Sequence, residues 1–156
     1  MSIKHIENLS LNPFFCSDIL HHFLCGYKNQ KIDIGLIYLV LPFIYYKDTR
    51  NLLISANKRS DIYTLFKDKK DNRVSLVGMQ ERIKFFREYT NQSLVVGHNE
   101  KKFWVDKQIS VLEKVNYKQI KSEQIRDYFR AAHYLGIILS KYDYKDVFIK
   151  LGVTTV

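Results

Sequence analysis

The sequence predicts a mainly α, single-domain protein with one small β-hairpin, a winged-helix arrangement being one form of it. Three observations predict this. Apolar residues recur at helical spacing along most of the chain, and the period changes once, near residues 94–105, to short strand-like runs. A length of 156 residues with 46% hydrophobic and 26% charged side chains is one domain's worth, with enough apolar material for a core. The expected organisation is one domain over 1–156: helical over 12–92, a hairpin over about 93–112 and C-terminal helices over 122–152.

The first helix is signalled at both ends. Asn12 can accept from free backbone N–H groups, and Pro13 suits the first helical position, where its missing N–H costs nothing. Gly26 is read as a left-handed stop. Between them Phe15, Ile19, Leu20, Phe23 and Leu24 form a broad apolar face. Residues 34–46 are apolar nearly all round, which reads as a central buried helix ended or kinked near Leu41 by Pro42. Asp48 or Thr49 starts a short helix through Leu52 and Leu53. Ser60 caps another that carries Ile62, Leu65 and Phe66, and the polar stretch 67–73 reads as a loop.

From Val74 to about Gln92, Leu76, Ile83, Phe86 and Thr90 again follow a helical period. Residues 94–96, a turn at 97–100 and residues 103–105 then read as the hairpin, with Trp104 as a core anchor. Ser122 opens the last long helix, whose buried face holds Ile125, Phe129, Ala132, Leu135 and Leu139. After a break near Tyr142, a short closing helix ends at Gly152.

The formal charge of +9, from 25 Lys plus Arg against 16 Asp plus Glu, favours negatively charged partners without identifying DNA. The basic clusters are short: Lys67, Lys69 and Lys70, then Lys101 and Lys102. Cys16 and Cys25 form no CxxC pair, and residues 1–11 lack the apolar core of a secretory leader. The longest apolar run is too short for a membrane span. A cytoplasmic protein with free thiols and no membrane anchor is the consistent expectation.

Chemistry is scarce. No phosphate-cradling glycine motif is present, so any ATP must be bound elsewhere. Adjacent His21 and His22 point about 100° apart on a helix and cannot easily share a metal ion. Glu100, Lys101 and Lys102 copy the last letters of a nuclease motif, yet they sit at an expected turn with no strand carboxylate upstream. No serine or cysteine has the setting of a nucleophile. No catalytic residue, cofactor or metal site is therefore expected. The hairpin could still touch DNA backbone through Lys101, Lys102 and Lys107, because phosphate contacts need only placed positive charge.

Several short stretches, in order, carry a resemblance: Asn12-Pro13 with Gly26-Tyr27; residues 39–42 followed by Thr49-Arg50; Leu135-Gly136; and Phe148 with Leu151-Gly152-Val153. Together they resemble the small middle component of three-component ABC systems, of which the Lamassu subunit LmuC is one. The chain departs from that pattern where it continues Thr154-Thr155-Val156 without the proline that often follows Gly-Val. The resemblance implies a non-enzymatic adaptor in a bacterial defence complex, bound to an SMC-like ABC ATPase and to an effector, commonly a nuclease. Arg50, Tyr27, Tyr46 and Phe148 are the expected partner-facing residues, Arg50 first, with an internal cap or salt bridge as its alternative. A stand-alone winged-helix DNA-binding regulator is the competing reading.

Overall fold

The computed structural model describes residues 11–29 and 31–156, so the leader-free reading of the first ten residues lies outside it. Helix α1 (Pro13–Gly26) begins as expected: the Asn12 side chain accepts from the Phe14 N–H at 2.8 Å. Its end corrects the expectation. Gly26 is the last helical residue, without a left-handed φ, and Tyr27 leaves in an extended conformation. Gly26 is required instead by close approach to the last long helix.

The apolar stretch after α1 is not one helix. Strand β1 (Lys31–Asp33) precedes it, and the stretch itself divides into α2 (Ile34–Ile37) and α3 (Val40–Ile44). Asp33 caps α2 by accepting from the Gly35 N–H at 2.9 Å. The break falls before Pro42, so that proline lies in the first turn of α3, where an N–H has no partner inside the helix. Helix α4 (Lys47–Ile54) follows.

Asp61, not Ser60, opens the next turn: its carboxylate accepts from the Thr64 N–H at 2.8 Å while Thr64 Oγ1 accepts from the Asp61 N–H at 3.0 Å. Residues Tyr63–Lys67 are π-helical, closed by the Asp68 N–H donating to the Tyr63 carbonyl at 2.8 Å. The expected loop over 67–73 holds a further short helix, α5 (Lys70–Val74). Gly78, at φ 80°, then turns the chain into the longest helix, α6 (Met79–Asn99).

Residues 94–96 belong to α6 and not to a strand. The hairpin is instead β2 (Phe103–Val105) and β3 (Gln108–Val111). Gly97, read as a turn residue, lies within the helix, and it is the Phe103 ring packed over it that requires a glycine; a Cβ there would overlap that ring. Phe103 is fully buried and Trp104 is exposed, so the core anchor of β2 is the neighbour of the residue expected. β1 joins the hairpin in an antiparallel sheet of order β1-β3-β2, pairing Ile32 with Ile109 and Phe103 with Val111.

A 3-10 turn (Tyr117–Gln119) leads to α7 (Glu123–Leu139), capped by Ser122, and to α8 (Tyr144–Leu151), which Gly152 ends at φ 68°. A helix, a strand, further helices, a long helix and a hairpin, with the first strand pairing β3, is the element order of a winged helix. α2 to α5 fill the interval before the long helix. α1 is the centre of the core, packed between α6 and α7, and Ile19, Leu20, Phe23, Leu36, Leu41, Phe43, Ile83 and Leu135 form one continuous apolar cluster. Among the described residues no helix is long and apolar enough to cross a membrane.

Candidate partner interfaces

α6 has 21 residues, so its ends lie about 30 Å apart at 1.5 Å per residue. Large apolar side chains meet solvent at both ends. At the C-terminal end Val95 and Trp104 are exposed. His98 fixes Trp104: its Nδ1 accepts from the Val105 N–H at 3.1 Å while its ring lies 4.5 Å from the indole. At the N-terminal end, a groove of about 500 Å³ lies between the Tyr63–Lys67 turn, the α5–α6 connection and the end of α8. Tyr63, Leu76 and Ile149 supply its apolar lining, and Lys67, Arg73 and Lys150 its charge.

The expected partner-facing residues are partly used within the fold. Arg50 Nη1 donates to the Ile44 carbonyl at 3.0 Å, and its guanidinium lies 4.5 Å over the Tyr128 ring, which closes the end of α3. Tyr46 is covered by Arg82, 4.0 Å above its ring. Tyr27 and Phe148 are half-buried and both lie toward the Asp33–Gly35 segment. Burial raises the Tyr27 phenol pKa, and Asp143 and Asp33 add to the effect.

The hairpin lysines divide. Lys102 is 17% exposed and bridges Asp18 at 2.6 Å, Ser17 Oγ at 3.1 Å and Glu100 at 3.4 Å. Lys101, at φ 59°, and Lys107, beside Asp106 between β2 and β3, are exposed. Only these two can meet a phosphate without giving up an ion pair.

His21 and His22 serve the core. The His21 Nε2–H donates to the Glu113 carbonyl at 2.5 Å. His22 stacks on Phe129 at 4.2 Å, and burial pushes its pKa down to about 4, with His21, His133 and Lys102 adding repulsion. Its Nδ1 is buried without a hydrogen-bond partner. Among the described residues no three His, Cys, Asp or Glu side chains converge where a metal ion could sit.

The family model described as ABC-three component (ABC-3C) system Middle Component 3 matches residues 1–155. The chain belongs to this family. No curated protein and no solved structure matches it. As a Middle Component 3 protein it is one part of a multi-component ABC system, which gives its exposed apolar ends a context.

Sequence reasoning missed the groove in this Middle Component 3 chain, although one signal was present. In α8, Val147 and Leu151 are buried one turn apart, so Ile149 sits about 200° round the helix from Val147 and must face water. An isoleucine there contradicts the amphipathic pattern. Tyr63 carried no such signal, because a π-helical turn does not keep the 3.6-residue period.

Proposed function

We propose that this chain is a non-catalytic cytoplasmic adaptor of a bacterial anti-phage and anti-plasmid defence complex, LmuC-like in its role. It bridges an SMC-like ABC ATPase and an effector, a nuclease, and restrains the effector until DNA is sensed. The observation that carries this reading is the pair of exposed apolar surfaces at opposite ends of α6. Large apolar side chains exposed to water mark a contact site, and two such sites near opposite ends of one long helix let a small subunit hold two partners at once. Restraint then requires the adaptor to bind one effector state better than the other, by a few kcal/mol for a tight switch.

Direct DNA contact, where it occurs, is to backbone. Lys101 and Lys107 on the hairpin suit non-specific phosphate contact inside the assembled complex. The regulator alternative gains the winged-helix element order, since α6 is the helix such a fold would place in a groove. Its solvent face disfavours that use, because Glu81 and Glu88 alternate with Lys84, Phe85 and Arg87. A mixed, aromatic face suits protein contact better than a polyanion.

The test is co-expression of the chain with the products of its neighbouring genes, followed by affinity capture and mass photometry. A stable complex with an ATPase and an effector is expected. A monodisperse chain that ignores both and shifts one DNA sequence would replace the adaptor with the regulator.

A further inference from the structure

The groove at the N-terminal end of α6 concentrates exposed apolar surface. Ile149 is 76% exposed and Tyr63 61%; Val74 and Val77, on either side of the lining residue Leu76, are 55% and 70% exposed. Large side chains left together in water mark a surface that another molecule covers. The charge around them has one sign. Lys67, Arg73 and Lys150 line the groove and no carboxylate does. The ion pairs among the described residues are those of Lys102, so none of these three cations has a described carboxylate within 4 Å. The wall that presents Tyr63 is π-helical, a distortion often found at functional positions.

We infer that this groove receives a short acidic, amphipathic segment of another component of the same ABC system. Its apolar side chains lie against Tyr63, Leu76 and Ile149, and its carboxylates meet Lys67, Arg73 and Lys150. The groove's volume is that of an ordinary ligand pocket, enough for a few anchoring side chains. A second copy of this chain is the poorer occupant, because a net charge of +9 would face three cations that have no carboxylate partner among the described residues. Nucleic acid would satisfy the cations and leave the Ile149 and Val77 side chains in water. An acidic segment with apolar anchors satisfies both. This inference rests on the bridging role and names the chemistry of one of its two contacts.

The experiment uses the full chain assembled with the ATPase and effector components. A photo-cross-linking amino acid replaces Ile149 or Tyr63, and in a control Lys107 in the hairpin between β2 and β3; mass spectrometry then identifies the joined peptide. The expected result is one partner segment, rich in Asp and Glu with interspersed apolar residues, joined from both groove positions and not from position 107. In parallel, I149D and the double substitution K67E/K150E should each weaken binding of that component about tenfold or more. Melting temperature should stay unchanged, since these side chains are on the surface, and added salt should weaken the native contact. Assembly without a cross-link from the groove, or with cross-links to a basic segment or to a second copy, overturns the groove and leaves the adaptor standing. Failure of the three components to assemble at all overturns both.

Discussion

Gly26 in α1 faces the backbone carbonyl of His133 in α7 so closely that a Cβ at residue 26 would overlap it. One turn along the same crossing, a Cβ on Gly136 would overlap the Phe23 carbonyl and lie 2.9 Å from the Tyr27 nitrogen. The two glycines let the helix backbones touch. Backbone cannot swing aside as a side chain can, so Gly26→Ala or Gly136→Ala must push the helices apart. Each should destabilise the fold by about 1–3 kcal/mol, as overpacking does in cores. Thermal unfolding of both variants checks it, and a Tm equal to that of the parent would contradict the crossing.

A second glycine contact links the longest helix to the sheet. Gly97 lies under the ring of fully buried Phe103, leaving no room for a methyl group. Gly97→Ala should therefore be destabilising by about 1–3 kcal/mol. Phe103→Leu in the same chain should recover part of the loss, because the smaller side chain vacates the space. The double-mutant cycle should give a coupling of about 1 kcal/mol or more. Additive effects would mean that the two residues do not meet.

These glycines show how far the sequence could be read. Asn12-Pro13, Ser122 and Gly152 act through local backbone chemistry, and each stands where expected. Gly26 and Gly97 looked like local signals, yet their reason lies in residues 107 and 6 positions away, His133 and Phe103. The run 94–96 shows the same limit. Leu-Val-Val suits a strand by composition, but its place at the end of a long amphipathic helix outweighs intrinsic preference. For the interfaces, the charge on Lys101 and Lys107 was legible, while the ion pair of Lys102 depends on Asp18, 84 positions earlier.

His22 makes stability depend on acidity. Its folded pKa is about 4 against an ordinary value of 6.5, so below pH 6.5 the unfolded chain binds a proton that the folded chain does not. Its neutral form therefore contributes full stability above about pH 6.5, and that contribution is lost as pH falls toward 4. At about 1.4 kcal/mol per unit, the loss from this residue is of the order of 3 kcal/mol. His22→Phe keeps a ring against Phe129 and removes both the titration and the unpaired Nδ1. Its Tm should fall less between pH 6.5 and 4 than that of the parent, with His21 and His133, also depressed by burial, contributing to the remainder. Parallel Tm curves would exclude His22 as a source.

Arg130 ties α7 to the end of α4. Nε donates to the Ile54 carbonyl at 2.8 Å, Nη2 to the Ala56 carbonyl at 3.3 Å and Nη1 to the Tyr117 hydroxyl at 2.9 Å. Only a planar fork reaches all three, so Arg130→Lys should recover little of what Arg130→Ala loses. Leaving these acceptors unpaired should cost about 2–3 kcal/mol. Urea unfolding of the two variants decides it; a fully rescuing lysine would show that charge alone matters.

The hairpin lysines should separate DNA contact from stability. Lys101 and Lys107 are exposed, whereas Lys102 is held by Asp18, Ser17 and Glu100. In the assembled complex, Lys101→Ala with Lys107→Ala should weaken binding to any duplex regardless of sequence and reduce the salt slope by about one for each phosphate no longer neutralised. Tm should not change. Lys102→Ala should behave the opposite way, lowering Tm because Asp18 is left without its partner, with little effect on the salt slope. Fluorescence anisotropy on two unrelated duplexes across a salt series, beside thermal melts, measures both. A salt slope that drops only with Lys102 would move the phosphate contact to the α1–hairpin junction, and an unchanged slope in every variant would remove the hairpin from DNA altogether.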